Sequence, residues 1–447
     1  MSREMKDSGI LAIGAIPKEW KQIRIKYLLQ NGVIKSGPYG SVLKEVTSTD
    51  GEYPIYNQAN IINDDFSLRR NYISSKDYIN MKRYKIQSGD IVFSMMGTVG
   101  KCSIVPEWID EGIIDSHLFE AKLNYLINKD YFKYSYDKDL CVQVIEQFVE
   151  AMNGSIMSGL NGGLVKNSFI CLPSPTEQQQ IVHFLDRKCT AIDTAIEKTK
   201  KSIEKLEEYK KAVITKAVTK GIDPNAKMKD SGVEWIGEIP EGWDVIKLKY
   251  LLKDSMKYGA TETGIEYSEE LPRYIRITDI TSDNKLKDSG KLSLTEQQAE
   301  KYLLKEDTIL FARSGATVGK TFLYKTEYGR AAFAGYLISA IPNNDKLLAT
   351  WLYYYTLSFS YADWVKRSFL QATIQNIGAD KYSNLLISLP CMNKQSEIVK
   401  YLDDKCAMFD VVIKKKKKAI EKWEEYKKSL IYYAVTGKID CRNEVIE

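Results

Sequence analysis

The stretch Ile203-Glu-Lys-Leu-Glu-Glu-Tyr-Lys-Lys211 returns 217 residues later as Ile420-Glu-Lys-Trp-Glu-Glu-Tyr-Lys-Lys428. Upstream, Met5-Lys-Asp-Ser-Gly9 recurs as Met228-Lys-Asp-Ser-Gly232 at an offset of 223 residues. Between them, Gly97-Thr-Val-Gly-Lys101 corresponds to Ala316-Thr-Val-Gly-Lys320 at an offset of 219 residues. The sequence therefore predicts two tandem copies of one unit, alike at the ends and diverged in the middle.

The diverged middle has two interpretations. Two recognition modules that bind different targets would differ in this way. Neutral drift in surface loops would produce the same pattern. The repeat alone does not choose between them.

Each copy ends in a segment that predicts one long helix. Thr176-Glu-Gln-Gln follows Pro175 as a plausible cap, and no Pro or Gly appears before Gly221. The second helix is expected from about Asn393 to a stop at Gly437. At 1.5 Å per residue each is about 60 Å long, and neither can bury its apolar stripe alone.

The apolar residues of both helices recur at spacings of three and four, as a coiled-coil seam requires. We expect the two helices to pair in antiparallel fashion through this seam. The predicted pairing residues are Ile181, Leu185, Ile192, Ile196, Ile203 and Leu206 in the first helix, and Ile398, Leu402, Phe409, Ile413, Ile420 and Trp423 in the second. Cys189 and Cys406 occupy equivalent seam positions, where core packing is a better interpretation than redox chemistry.

Composition describes a globular protein with room for several domains. Of 447 residues, 44% are hydrophobic and 28% charged, and the net charge is only +5, so nucleic acid would be bound through local patches. Seven scattered cysteines and two histidines, His117 and His183, make a zinc site improbable and favour a reducing cytoplasm. No secretory signal is expected, and the uncharged run 347–362 is too short to span a bilayer and predicts a buried aromatic helix.

Two short motifs imitate catalytic sites. Ser314-Gly-Ala-Thr-Val-Gly-Lys-Thr321 lacks the first glycine of a phosphate-binding loop, so a turn after a strand is the better interpretation. Glu120-Ala-Lys122, with Asp110 or Asp115 upstream, weakly imitates a metal-dependent nuclease core that the second copy does not repeat. We expect no catalytic residue and no metal site in this chain.

Basic and amide side chains interleaved with aromatic ones are the remaining candidates for binding chemistry. Arg can read guanine, and Asn or Gln can read adenine, through paired hydrogen bonds, while Lys contacts the phosphate backbone. The predicted DNA-binding residues are Arg69, Arg70, Lys76, Lys82, Arg83 and Lys101 in the first copy, and Arg273, Arg276, Arg313, Lys320, Lys366, Arg367, Gln371, Gln375 and Asn376 in the second. For any one of them, a purely solubilising surface role is the simpler alternative. The run Lys414 to Lys418 is more simply a solvated helix face.

The order of several motifs resembles the specificity subunits of type I restriction-modification systems, over the whole chain. The resemblance rests on Ile239-Pro-Glu-Gly-Trp-Asp-Val-Ile-Lys-Leu248, Tyr274-Ile-Arg-Ile-Thr-Asp-Ile280, Gly315-Ala-Thr-Val-Gly-Lys320, and Leu172-Pro-Ser-Pro-Thr-Glu-Gln-Gln-Gln-Ile181 leading into a long helix. The second copy departs from the family with Leu389-Pro-Cys-Met-Asn-Lys-Gln-Ser-Glu397, where Pro-x-x-Glu-Gln is usual.

The resemblance implies an α+β fold with two globular mixed α/β target-recognition domains in tandem, separated by two long antiparallel coiled-coil helices. We place the domains at 1–175 and 223–390, the first spacer helix at 176–222, and the second helix with its tail at 391–447. Each domain would read half of a split DNA sequence in a major groove.

The implied partners are double-stranded DNA, two methyltransferase subunits and restriction motor-nuclease subunits, with no membrane. S-adenosylmethionine, ATP and magnesium would be bound by these partners, not by this chain. Two rival functions stay open: a coiled-coil scaffold whose heads bind protein, and, ranked last, a nucleotide hydrolase acting through Lys320.

Overall fold

A computed structural model describes residues 3–96, 98–141, 143–151, 160–281, 284–369 and 376–444. The chain divides into two compact units. Unit 1 comprises residues 1–199 and 417–447, and unit 2 comprises residues 200–416. Each long helix is therefore shared, with one part in each unit.

Unit 1 contains short strands, six short helices in its described part, and the first part of a long helix. The strands are β1 Met5–Asp7, β2 Ala15–Pro17, β3 Lys21–Arg24, β4 Lys35–Ser36, β5 Tyr53–Tyr56, β6 Tyr72–Ile73, β7 Ile91–Ser94, β8 Cys102–Ile104, β9 Ile113–Ile114, β10 Leu118–Ala121 and β11 Phe169–Leu172. The helices are α1 Gly40–Val46, α2 Gln58–Asn63, α3 Ser75–Met81, α4 Lys129–Tyr136, α5 Gln143–Ala151, α6 Gly162–Asn167 and the long α7 Pro175–Lys220.

Two sheets position the functional part of unit 1. The first is antiparallel with the order β4-β10-β7-β8, and the second has the order β6-β5-β9, in which β5 and β9 are parallel. Strands β7 and β10 are buried at every residue, so both faces of this sheet are covered. One face packs on the main core of the unit through Phe93, Phe132 and Tyr136.

Unit 2 repeats this construction. Its strands are β12 Met228–Asp230, β13 Glu238–Pro240, β14 Asp244–Lys247, β15 Lys257–Tyr258, β16 Ile265–Glu266, β17 Arg273–Ile275, β18 Leu292–Ser293, β19 Ile309–Ala312, β20 Thr321–Leu323, β21 Ala331–Phe333, β22 Leu337–Ala340 and β23 Leu386–Leu389. Its helices are α8 Glu296–Ala299, α9 Ala349–Thr356, α10 Phe359–Phe369, α11 Ala379–Ser383 and the long α12 Met392–Val435.

The sheets of unit 2 match those of unit 1 where the sequence repeats. The order β15-β22-β19-β20 corresponds to β4-β10-β7-β8, and the parallel pair β17/β21 corresponds to β5/β9. The second sheet differs, since β18 takes the place of β6 and β16 adds a fourth strand, which gives the order β16-β18-β17-β21. The sequence divergence therefore falls in the second sheet and in the loops, while the first sheet is kept.

The uncharged run 347–362 forms two helices rather than the single one expected. The hydroxyl of Ser358 donates to Tyr355 O (2.6 Å) and accepts from Tyr361 N (3.1 Å), which ends α9 and begins α10. Trp351, Leu352 and Tyr355 are buried, so the aromatic run does lie in the core. In the described part of the chain, no helix is long and apolar enough to cross a membrane.

The two long helices run in opposite directions within each unit. In unit 1, the Gln180 amide donates to Arg442 O (2.8 Å), and Asp193 accepts from Lys427 (2.6 Å). Residue numbers therefore rise along the first helix as they fall along the second. In unit 2, Lys210 pairs with Asp410, and Ser388 donates to Val218 O.

Most of the predicted pairing residues are buried. Ile181, Leu185, Ile192, Ile196, Ile203, Ile398, Leu402 and Ile413 are buried, while Leu206, Phe409 and Ile420 are half-buried. Trp423 is 41% exposed and stacks edge-on against Tyr426 of its own helix.

Candidate functional site

In unit 1, four chain connections meet at one end of the sheets, which we call edge 1. It consists of Gly37 after β4, Asn57 and Gln58 after β5, Met95 after β7, and residues 115–117 between β9 and β10. The Gln58 amide donates to Ser94 Oγ (3.2 Å) and Met96 O (2.6 Å), which joins two of these connections. An open cleft of about 580 Å³ lies here.

Eight of the eleven residues that line this cleft have polar side chains. They are Lys44, Thr47, Asn57, Gln58, Asn71, Asp115, Ser116 and His117. Burial raises the pKa of Asp115 above its usual range, although the His117 backbone N–H donates to this carboxylate (2.8 Å). Amides, a hydroxyl, an imidazole and a carboxylate together offer both donors and acceptors, as base-edge recognition requires.

Backbone hydrogen bonds fix the position of Met95 in edge 1. Met95 N donates to His117 O (3.0 Å), and Met95 O accepts from Leu160 N (2.6 Å). The loop after β7 is therefore held from both sides.

Unit 2 makes the same two hydrogen bonds at Arg313. Arg313 N donates to Tyr336 O (3.0 Å), and Arg313 O accepts from Ile377 N (2.8 Å). We call this end of unit 2 edge 2, consisting of Tyr258, Gly259, Arg276, Arg313, Tyr336 and Asn376. The backbone is conserved between the edges, but Arg313 stands in place of Met95 and Tyr336 in place of His117.

A glycine brings two connections together in each edge. An added Cβ would lie 1.9 Å from Asp115 O at Gly37, and 2.3 Å from Phe333 O at Gly259. Both distances are far inside van der Waals contact, so only glycine fits.

The loop of edge 2 is one residue longer than that of edge 1. Ser94 N donates to Lys101 O, and Ala312 N donates to Lys320 O, so residues 95–100 in unit 1 correspond to residues 313–319 in unit 2. The sequence offset aligns Met95 with Ser314, whereas the hydrogen bonds align it with Arg313.

Two of the predicted DNA-binding cations of unit 1 form ion pairs with carboxylates. Arg69 forms an ion pair with Asp110. Lys101 lies 3.0 Å from Asp139 and 3.4 Å from Asp137. Burial alone would lower the pKa of Lys101, but these two carboxylates raise it above its ordinary value.

The other predicted residues of unit 1 lie at its surface. Arg70, Lys76, Lys82 and Arg83 are exposed on or near α3, and the Arg83 guanidinium lies over the Tyr84 ring (4.7 Å). Side chains in such positions can contact phosphates.

In unit 2, three predicted arginines have partners in their own unit. Arg276 binds Asp279 through two nitrogens (2.7 and 3.0 Å), and Arg367 binds Glu234 in the same way (2.7 and 2.8 Å). Arg273 is buried and donates to a backbone carbonyl.

The remaining predictions for unit 2 fall in three groups. Lys366 is exposed and Lys320 is half-buried. Arg313 and Asn376 contact each other in edge 2. Gln371 and Gln375 lie outside the described residues.

Residue types alone did not reveal Asn57, Gln58 and His117 of edge 1, or Tyr258 and Tyr336 of edge 2. A signal was present in the sequence for Asn57, His117 and Tyr336, since each of these three lies directly beside a short buried strand. Only the strand order shows that these connections meet.

The phosphate-loop-like motif of unit 2 does not form an open cradle. Thr321, where a magnesium-binding hydroxyl would stand, is buried and bonds to Thr356 Oγ1 (2.7 Å). Gly319 O accepts from the Tyr361 hydroxyl (2.9 Å). The motif is a turn between β19 and β20.

Glu120 and Lys122 of the nuclease-like motif form ion pairs with residues outside the motif, whereas Asp110 pairs with Arg69 and Asp115 lies in edge 1. Glu120 lies 3.4 Å from Lys35, and Asp90 lies 3.7 Å from Lys122. Burial is the main cause that raises the pKa of both carboxyls, Asp90 adds to the effect on Glu120, and the lysines oppose it. Among the described residues, no group of three or more His, Cys, Asp or Glu could hold a metal ion.

The equivalent seam cysteines are thiols packed in their units. Cys189 and Cys406 are both buried, each within its own unit. Burial raises the pKa of Cys189 to about 11 and also raises that of Cys406.

These observations describe a tandem repeat that presents two different polar edges on one scaffold. The family model described as "Type I restriction modification DNA specificity domain" matches residues 17–208 and again residues 240–422. The chain therefore belongs to the type I restriction modification DNA specificity domain family. The expected α+β tandem architecture is confirmed, and DNA recognition is favoured over a scaffold with protein-binding heads.

Two relatives from Methanocaldococcus jannaschii match over nearly the whole chain. The putative type I restriction enzyme MjaX specificity subunit is 25% identical, with 96% of this chain and 95% of the relative covered. The type I restriction enzyme MjaVIII specificity subunit is 24% identical, again with 96% and 95% covered.

A solved chain from a study of complex assembly and conformational transition of the type I R-M system shares the fold. Its TM-score is 0.66 at 16% identity, with 95% of this chain and 99% of that chain covered.

Proposed function

We propose that edge 1 and edge 2 each bind one half of a split DNA sequence and thereby select the DNA on which a type I restriction-modification complex acts. One observation carries the proposal: the hydrogen bonds that fix Met95 and His117 recur at Arg313 and Tyr336. A common scaffold with different side chains holds DNA in the same way and reads different bases.

The chemistry of the complex is assigned to its partners. Two methyltransferase subunits would supply S-adenosylmethionine chemistry on adenine, and motor-nuclease subunits would use ATP and magnesium. This chain contributes the sequence choice and takes no catalytic part. We place its action in the cytoplasm, where the chromosome is accessible to such a complex.

The exposed cations have a supporting role. Arg70, Lys76, Lys82 and Lys366 carry charge without base information, so we assign them to the phosphate backbone. Replacing one of them by alanine should weaken binding uniformly across sequences and make it less sensitive to salt.

The test is to co-express the chain with its methyltransferase subunit and map N6-methyladenine across a host genome. We expect a split motif that is methylated only when the chain is present. His117→Ala should relax one half of that motif and Tyr336→Ala the other half. Motif methylation that is the same without the chain would contradict the proposal.

A further inference from the structure

Arg313 has a side chain that is oriented by its neighbours. Its guanidinium carbon lies 4.8 Å from the centroid of the Tyr258 ring, and its Nε donates to Asn376 Oδ1 (3.4 Å). The Tyr258 hydroxyl in turn accepts from Ala379 N (3.0 Å), which fixes the ring. The contact with this ring and the hydrogen bond to Asn376 together restrict the rotation of the guanidinium.

The terminal nitrogens of Arg313 are available to a ligand. None of the residues that the structure describes forms a hydrogen bond or an ion pair with them. The contrast within the unit is clear, because carboxylates occupy both Arg276 and Arg367. Arg313 therefore presents an oriented fork of donors at edge 2.

We propose that Arg313 reads a guanine in the half-site bound by unit 2. The inference rests on the proposed function and adds a base and a residue to it. Guanine alone offers two acceptors, O6 and N7, on its major-groove edge, and an arginine fork bonds to both.

A phosphate would also accept two hydrogen bonds from arginine, but the repeat argues against it. Phosphate contacts position the duplex and are needed in both units, whereas base contacts differ between half-sites. The equivalent residue of unit 1 is Met95, which carries no charge and no strong donor. The guanidinium is present at edge 2 and absent from the equivalent place in edge 1. This difference between the units is expected of a residue that contacts a base.

The experiment uses the complex of the full chain with its methyltransferase subunit. Methylation rates are measured on duplexes in which each base pair of the wild-type motif is replaced in turn. We expect one G·C pair of one half-site whose replacement slows the wild-type complex roughly 5- to 150-fold. Arg313→Ala should make the complex indifferent at that pair while all other preferences stay.

Arg313→Lys tests the planar fork. Lysine keeps the positive charge and can still donate to guanine, but it loses the planar fork, so the preference for guanine should be weaker than in wild type without being abolished. Arg330→Ala is the matched control, because Arg330 is an exposed arginine of unit 2 that pairs with Glu296 away from edge 2. It should keep every base preference.

Two results would overturn the inference. One is an Arg313→Ala complex that keeps all the preferences of the wild type, and the other is an Arg313→Ala complex that loses its preference at a base pair without guanine and keeps it at every G·C pair. A wild-type complex that methylates no split motif would instead refute the proposed function. That failure is visible without any variant, so the two failures are distinguishable.

Discussion

Gln178 and Gln395 form the same three hydrogen bonds, each within its own unit. Gln178 Oε1 accepts from Asn128 N (2.7 Å), and its Nε2 donates to Leu126 O (3.0 Å) and Pro173 O (3.1 Å). The side chain is buried, so its amide replaces water for three backbone groups.

Gln395 repeats the arrangement. It accepts from Leu348 N (2.9 Å) and donates to Lys346 O and Pro390 O (both 3.0 Å). The glutamine thus fastens the first turn of each long helix to the globular part of its unit.

The residue before this glutamine differs between the units. In unit 1, Glu177 accepts from Trp20 Nε1 (2.8 Å) and forms an ion pair with Arg3 (2.6 Å). In unit 2 the same place holds Lys394, which pairs with Glu397 at the surface. Unit 2 therefore has no counterpart of the contacts that Glu177 makes with Trp20 and Arg3. The three hydrogen bonds of the glutamine are the same in both units.

Gln395→Ala should destabilise unit 2. The substitution removes the partner of the Leu348 N–H and of two carbonyls, of which the hydrogen bond to Pro390 O is fully buried, and a loss of about 1–3 kcal/mol follows from the cost of an unsatisfied buried polar group. Urea and thermal unfolding of the full chain measure it. Ser396→Ala, at the exposed neighbour, is the control and should stay within about 0.5 kcal/mol of wild type. Equal shifts for the two variants would refute the role of the amide.

Gly37→Ala should impair recognition at edge 1. The new Cβ would meet Asp115 O at 1.9 Å, so the connection that carries His117 must move. With the loss of one base contact worth about 1–3 kcal/mol, methylation of the wild-type motif should fall roughly 5- to 150-fold. Gly242→Ala is the control, since no atom lies within 4 Å of its Cβ. Unchanged methylation by Gly37→Ala would show that edge 1 does not touch DNA.

Glu120→Gln should stabilise unit 1 at neutral pH. The folded-state pKa of Glu120 is raised by burial and by Asp90, so the folded state favours the protonated form. The stability that this protonation contributes is present below the unfolded-state pKa and is lost as pH rises through the folded-state pKa. Glutamine has no carboxyl group to ionise, so the variant does not lose this stability as the pH rises.

Urea midpoints between pH 4 and pH 8 test this prediction. The advantage of Glu120→Gln over wild type should grow with pH from a value near zero at the acid end. Glu107→Gln, at an exposed position of the same unit, serves as the control. An advantage that does not change with pH would mean that the ion pair with Lys35 fully compensates the buried charge.

Ile413→Asp should disrupt the helix pair of unit 2, whereas Val412→Asp should not. Ile413 is 7% exposed and Val412 is 42% exposed, although they are neighbours on α12. Burial of an unpaired carboxylate costs several kcal/mol, while an exposed substitution costs about 0.5 kcal/mol or less. Thermal unfolding monitored by circular dichroism compares the two. Similar midpoints would contradict the pairing.

The fold was largely predictable because repetition and periodicity report on it directly. Offsets between equivalent motifs indicated two units, and the spacing of Ile181, Leu185 and Ile192 indicated a long helix with one buried stripe. The break at Ser358 was not foreseen, since a serine that caps a helix looks the same in the sequence as one inside it.

The site was less predictable because it is built from short connections brought together by strand order. Arg276 and Arg367 have the right chemistry for DNA, but nearby carboxylates occupy them, and for Arg367 the partner Glu234 is distant in sequence. Asn57 and Gln58 lay in the diverged middle without a motif to mark them. Arg313 is one of nine DNA-binding candidates that the sequence predicts in unit 2, and only its contacts with Tyr258, Tyr336 and Asn376 distinguish it.

The division of the long helices between the units has a consequence for synthesis on the ribosome. Unit 2 is one continuous segment, residues 200–416, whereas the core of unit 1 also takes Leu430, Ile431 and Val435 from the far end of α12. The Tyr131 hydroxyl donates a hydrogen bond to Val435 O (3.1 Å), although Val435 is synthesised about 300 residues after Tyr131. The unit that is translated first is thus the one that is completed last.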